Sequence, residues 1–225
     1  MAYNLIVLYL IYYSLMKLTL IITTYNWPKA LFLVLESVKN QTLVPDEIII
    51  ADDGSSSETK TSINEFISNN DLNLIHIWQK DIGFRVARSR NNALKNSTGD
   101  YIVLIDGDVV LHKNFIQDHL VNSEFGYFVQ GSRVLINEVE SKKILSGKNM
   151  SFNFFSSGIK NRKNSIRSKL LSTLFSNKKN HIQGIKSCNL AFFREDCMNV
   201  NGFNNDFKGW GREDSEFLVR LINNG

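Results

Sequence analysis

The sequence predicts an α/β fold built on a mainly parallel sheet, and three observations carry that expectation. Short, nearly continuous apolar runs alternate with helix-like patterns of ten to fourteen residues. That is the pattern of a sheet covered by helices on both faces. The apolar runs end in polar clusters, as strands do where loops gather at a carboxyl edge. The chain has 225 residues, 43% of them hydrophobic, which suffices for one substantial core.

In chain order, residues 18–23 (LTLIIT) form the first expected strand, and Pro28 suits the opening turn of a helix over 29–40. EIIIA at 47–51 forms the second strand. Ser55, Ser56 and Ser57, followed by Glu58, offer N-caps for a helix over 56–69, and Asp53 is a further cap candidate. Strands at 73–77 and 101–105 enclose a helix over 86–96, and a fifth run lies near 127–130. From CNLAFFR onward an apolar strand leads to a helix that opens in GWGREDSEF.

A single domain over residues 16–225 is expected. Residues 1–15 (MAYNLIVLYLIYYSL) form an apolar N-terminal extension without the basic start or small-residue cleavage site of a signal peptide. Lys17 interrupts the run before it reads as a membrane span, so a natural start at Met16 is the simpler account. EFLVRLINNG stops at Gly225 without a closing element, and the C-terminus is expected to be truncated. Residues 137–181 hold ten Lys or Arg against two acidic residues. They read as a basic, partly mobile insertion with a short amphipathic helix near 164–176. The segment is either a solvated excursion or a lid, an acceptor-binding segment or a surface for anionic membrane.

A net charge of +4 suits an anionic partner without selecting one. Two cysteines and no CxxC pair argue against a disulfide framework and a thiolate zinc site, and favour a reducing compartment. No G-x-G-x-x-G follows the first strand and no Walker A loop occurs, so dinucleotide and P-loop cradles are missing. Nucleic-acid binding is not expected, because aromatic residues in the basic segment do not alternate regularly with charge.

Four clusters carry chemistry. Asp106 and Asp108 follow a buried strand with Gly107 between them. Adjacent carboxylates cost free energy that a hard divalent cation relieves, and glycine lets a ligand approach the backbone. A plain strand-end turn is the alternative. Asp52 and Asp53 could serve a turn or accept from a nucleobase N–H or ribose hydroxyls. Arg85, Arg88 and Asn92 stand at helical spacing near a helix start, where a diphosphate would be favoured. Trp210, Glu213 and Asp214 combine a flat indole with two acids able to take a proton from an alcohol.

Together these pieces resemble the nucleotide-sugar-binding domain of family 2 glycosyltransferases, which have the GT-A fold. The matching segments are IITTYNWPKAL, IIIADDGSS, DIGFRVARSRNNAL, YIVLIDGDVVLHKNF, CNLAFFRED and GFNNDFKGWGREDSEFLVRL. The last is similar to bacterial polysaccharide and lipopolysaccharide transferases and to the corresponding region of chondroitin polymerases and β-1,4-galactosyltransferases. The resemblance implies that Thr23, Tyr25 and Asn26 line the nucleotide pocket, with Asp53 on the uracil edge and Asp52 nearby. It implies donor support from Arg88, Asn92 and Arg85, with Gly107 beside them. Asp106 would face ribose or metal, Asp108 would hold Mn2+ or Mg2+, Asp214 would be the general base, and Glu213 and Trp210 would hold the acceptor. Many relatives add a His metal ligand beyond the last helix. The chain ends before one occurs, and His181 is poorly placed in sequence to replace it.

The implied reaction is an inverting, metal-dependent transfer from a UDP-sugar to a hydroxyl of a saccharide or lipid-linked saccharide, in cell-surface polysaccharide or lipopolysaccharide synthesis. The implied location is cytoplasmic, with peripheral contact at the inner face of the membrane through 137–181. The alternatives are a sugar nucleotidyltransferase and a non-catalytic carbohydrate- or membrane-binding module of the same fold.

Overall fold

A computed structural model describes residues 15–147, 152–168 and 186–224. The expected alternation is present. Strand β1 (Leu18–Thr24), helix α1 (Pro28–Lys39), β2 (Glu47–Asp52), α2 (Ser57–Ser68), β3 (Leu74–Trp78), α3 (Val86–Asn96) and β4 (Tyr101–Asp106) follow in order. Then come α4 (Phe115–Val121), β5 (Val129–Gln130), β6 (Leu135–Ile136), α5 (Glu138–Leu145), β7 (Ile159–Lys160), β8 (Asn189–Phe193), α6 (Arg194–Asn199) and α7 (Glu213–Asn223).

Six strands form one sheet in the order β3-β2-β1-β4-β8-β5. The first four are parallel, and β8 runs antiparallel between β4 and β5. The strands are apolar on consecutive residues because both faces are covered. Leu18, Leu20, Ile22, Ile48, Ile50, Val103 and Ile105 face α1 and α2, where Leu31, Val34, Leu35, Ile63 and Phe66 meet them. Ile21, Ile49, Ala51, Ile102, Leu104, Leu190 and Phe192 pack with Ala87 and Leu94 of α3 and Phe217 of α7. The period of two within each strand sorts the two layers.

Two compact units divide the chain. Among the described residues, one comprises 15–130 and 186–224, and the other 131–147 and 152–168. The second unit begins at Gly131, and in it β6 pairs with β7. Within this unit Asn137 caps α5, its side chain accepting from the Glu140 N–H at 2.9 Å. The helix expected near 164–176 is not seen where it is described: Arg162–Ser165 form a 3₁₀ turn, and 166–168 lack regular structure. The rest of that stretch, like the extension at 1–14 and His181, lies outside the described residues. No helix among the described residues is long and apolar enough to cross a membrane.

Candidate active site

Strand register brings the polar clusters together. β1 lies between β2 and β4, with Thr24 opposite Asp52 and Thr23 opposite Asp106. Two acidic pairs thus flank one strand end. Gly107 donates its N–H to the Thr23 carbonyl at 2.7 Å, and Asp53 donates its N–H to the Thr24 carbonyl at 3.0 Å. A Cβ on Gly107 would meet the Thr23 oxygen at 2.7 Å. The glycine is therefore demanded by the neighbouring strand itself.

On the β2 side both carboxylates are buried and held from within. Asp52 accepts from the N–H groups of Gly54 and Ser55 and pairs with His76 Nε2 at 2.9 Å. Burial pushes its carboxyl up, but the hydrogen bonds from His76 and Ser55 outweigh that and leave its pKa lowered. Asp53, expected as a helix cap, does not cap α2. The cap position is Ser56, whose side chain makes no capping bond. The Asp53 oxygens instead accept from Gln79 Nε2 at 2.6 Å and from the Arg85 N–H at 2.7 Å. Burial raises its pKa. Asn92 donates to Gln79 Oε1 at 3.0 Å, so α3 supports Asp53 through one amide.

The loop after β1 is tied to the loop after β2. Ser55 Oγ accepts from the Asn26 N–H, and Asn26 Oδ1 accepts from the Ser56 N–H, with Asn26 at a φ of 47°. The exposed Tyr25 donates its hydroxyl to Asp81 at 3.0 Å, which raises the phenol's pKa. Trp78 donates its indole N–H to the Ser55 carbonyl. Arg85 turns its guanidinium to the Phe84 carbonyl, and Arg88 is exposed.

On the β4 side the carboxylates face solvent. Asp106 has a side chain 38% exposed, accepts from Thr23 Oγ1 at 3.2 Å and lies 3.8 Å from Arg90. Asp108 is exposed one turn further. No three His, Cys, Asp or Glu side chains among the described residues form a ready-made metal cage. Two accessible carboxylates nevertheless fit a hard cation whose other ligands are phosphate and water oxygens. Both cysteines are buried and supply no soft donor.

The acids of α7 reach the same rim through α3. Arg90, only 3% exposed, donates to Glu213 Oε1 at 3.2 Å and to Ser187 Oγ at 2.9 Å. Glu213, expected to hold the acceptor, is buried against this guanidinium. Asp214 is half-buried and accepts from the N–H groups of Ser187 at 3.2 Å and Ser215 at 2.8 Å. Trp210 is 89% exposed. It sits between Gly209 and Gly211, both left-handed, and Arg212 shares that conformation.

Gln79, Arg90 and Ser187 are absent from the residues singled out by sequence. Arg90 had a signal: it stands four residues from both Val86 and Leu94, on the apolar face. Arg88 lies about 200° of helical rotation from it. Gln79 and Ser187 carry no comparable signal.

Comparison with known proteins places these features in context. The profile described as Glycosyl transferase family 2 matches residues 19–197, and that of the N-terminal domain of galactosyltransferase matches residues 171–225. A chondroitin synthase of Escherichia coli is 27% identical over 92% of this chain, but the chain spans only 32% of that protein. Among solved structures, the mannosyltransferase PcManGT of Pyrobaculum calidifontis, in complex with GDP-Man and Mn2+, matches 92% of the chain and 52% of its own, with a TM-score of 0.61 and 17% identity. S. aureus TarS 1-349 in complex with UDP matches 93% of the chain and 56% of its own, with a TM-score of 0.61 and 20% identity. Both share the fold.

Proposed function

Because this chain belongs to glycosyl transferase family 2, we propose that it moves a sugar from a UDP-sugar to a hydroxyl of a saccharide acceptor, with inversion at the anomeric carbon. The observation that carries the reading is the Arg90 guanidinium, which reaches both Asp106 and Glu213. These residues belong to acidic motifs more than a hundred positions apart, and one buried side chain makes them one site.

In this reading the pocket beside Asp53 takes the nucleoside. Each Asp53 oxygen accepts one internal hydrogen bond and keeps lone-pair capacity for a base N–H. A divalent cation held by Asp106 and Asp108, Mn2+ or Mg2+, would supply Lewis-acid stabilisation of the departing diphosphate. Asp214 takes the proton from the acceptor hydroxyl. The hydroxyl oxygen then bonds to the anomeric carbon from the face opposite the nucleotide, while the bond to the diphosphate oxygen breaks and UDP leaves with the electron pair. Two backbone N–H groups hold Asp214, which orients the base before substrate arrives. The exposed indole of Trp210 offers a platform for the acceptor ring.

The named activity of the chondroitin synthase relative supports a role in polysaccharide synthesis. Peripheral contact with anionic membrane at the cytoplasmic face accompanies this proposal. Phe155 is 88% exposed and Phe154 is exposed beside it. Residues 152–168 also carry Lys160, Arg162, Lys163 and Arg167 without an acidic residue.

The test is nucleotide release from UDP-, GDP- and CMP-sugars with Mn2+ and saccharide acceptors. Turnover of a UDP-sugar is expected. In Asp214→Asn donor affinity should persist while transfer falls about 10²–10⁴-fold. Donor binding without turnover by the wild type would instead indicate a binding module.

A further inference from the structure

We infer that Arg90 is a positioning residue that couples the donor-side carboxylate Asp106 to the base Asp214; the inference rests on the glycosyltransferase reading of this site. Its guanidinium has partners in three directions: Glu213 Oε1 at 3.2 Å, Ser187 Oγ at 2.9 Å and Asp106 Oδ1 at 3.8 Å. The ring of Phe203 lies 5.2 Å from its Cζ and closes the remaining side. Ser187 in turn donates its N–H to Asp214. One rigid fork therefore runs from the end of β4 to the start of α7. Through Asn92 and Gln79 the same helix also touches Asp53.

Stability alone does not account for the arrangement. Among the described residues, Arg90 Nε and Glu213 Oε2 are buried without a hydrogen-bond partner. A buried ion pair with unsatisfied atoms is commonly no more stable than an apolar pair of the same volume. What it provides is direction: a planar guanidinium holds several acceptors at fixed angles, which a lysine ammonium cannot do.

The test compares wild type with Arg90→Lys, which keeps the charge and removes the fork. R90K should melt below wild type, because a buried ammonium cannot serve all these partners, yet stay folded at the assay temperature and bind UDP, in the presence of Mn2+, within about threefold of wild type, while kcat falls about 100-fold. UDP binding should slow hydrogen exchange at the Ser187 and Ser215 amides in wild type but not in R90K. Wild-type turnover in R90K, a parallel loss of kcat and UDP affinity, or an unchanged exchange response would overturn the inference. If the wild type binds no UDP, the functional reading fails separately. The coupling is then read from the melting temperatures of Arg90→Gln, Glu213→Gln and the double variant. A double variant less destabilised than the sum of the singles supports it, and strict additivity overturns it.

Discussion

Two acidic pairs end the strands on either side of β1, and the fold treats them in opposite ways. Asp52 and Asp53 are buried, and protein donors hold their oxygens. Asp106 and Asp108 point toward solvent, with Asp106 steadied by Thr23 and Arg90. In sequence the pairs look alike, each an apolar run followed by close acids and a glycine. The difference comes from what lies beyond the strand. β2 is followed in the sheet by parallel β3, whose outgoing loop folds Gln79 and Arg85 over Asp53. β4 is followed by antiparallel β8, whose first residue Asn189 lies opposite Ile105, so at that end the chain enters the strand rather than leaving it, and among the described residues Asp106 keeps a side chain 38% exposed. The first pair shapes a loop, and the second is left open to solvent.

The largest effect expected from this contrast is functional. Asp108→Ala should lower transfer about 10²–10³-fold with little change in melting temperature. Asp53→Ala should also lower stability, by about 1–3 kcal/mol, because the Arg85 N–H and the Gln79 amide lose their acceptor. Nucleotide release and thermal unfolding measured on both variants decide the matter, and equal destabilisation would erase the distinction.

Next is the loop that closes the buried pair. Gly54 has a φ of 98°, and a Cβ there would lie 2.6 Å from the Asp81 backbone. Gly54→Ala should cost about 2–4 kcal/mol, more than Gly107→Ala, which meets the Thr23 carbonyl and the Thr24 side chain without a left-handed backbone. Urea unfolding of the two variants checks the order.

A smaller effect separates the two buried aspartates by pH. The folded-state pKa of Asp52 is lowered below the ordinary 3.8, so its stabilising contribution is present above that value and lost as pH falls through the folded value. Asp53 is raised above 3.8, so its titration favours the folded state as pH falls through the raised value toward 3.8. Asp52→Asn should therefore narrow the acid loss of stability below about pH 4, and Asp53→Asn should widen it above about pH 4. Denaturant titrations between about pH 6 and 2.5 read both slopes.

The smallest expected effect concerns the exposed phenylalanines Phe154 and Phe155. Cosedimentation with phosphatidylglycerol vesicles should fall when Phe154 and Phe155 are both changed to Ser, and wild type should not bind phosphatidylcholine vesicles. Equal binding to both lipids would remove the charge-directed part of the proposal.

The strands were legible because a sheet buried on both faces needs continuous apolar residues, and the helices because α1, α2 and α3 repeat their apolar positions with the helical period. The three polar clusters were legible as strand-end features for the same reason. The role of Asp53 as an acceptor for Gln79 and Arg85 was not, since a cap and a loop anchor use the same residue type. Arg88 and Arg90 are both arginines of one helix, and only the face each occupies separates an exposed side chain from a buried one. The stretch near 164–176 reads as a short amphipathic helix, yet its described part, 164–168, is the end of a 3₁₀ turn and irregular chain.

By itself, then, the sequence determined the order of the elements from β1 to β4, the two apolar layers and the residue types at each strand end. These follow from local period and from hydrophobic burial, both of which act along the chain. Only the tertiary structure decided which carboxylates are enclosed and which stay open, and that Arg90 joins Asp106 to Glu213. Those outcomes depend on sheet order and on desolvation by residues distant in sequence, and neither is encoded in any single stretch.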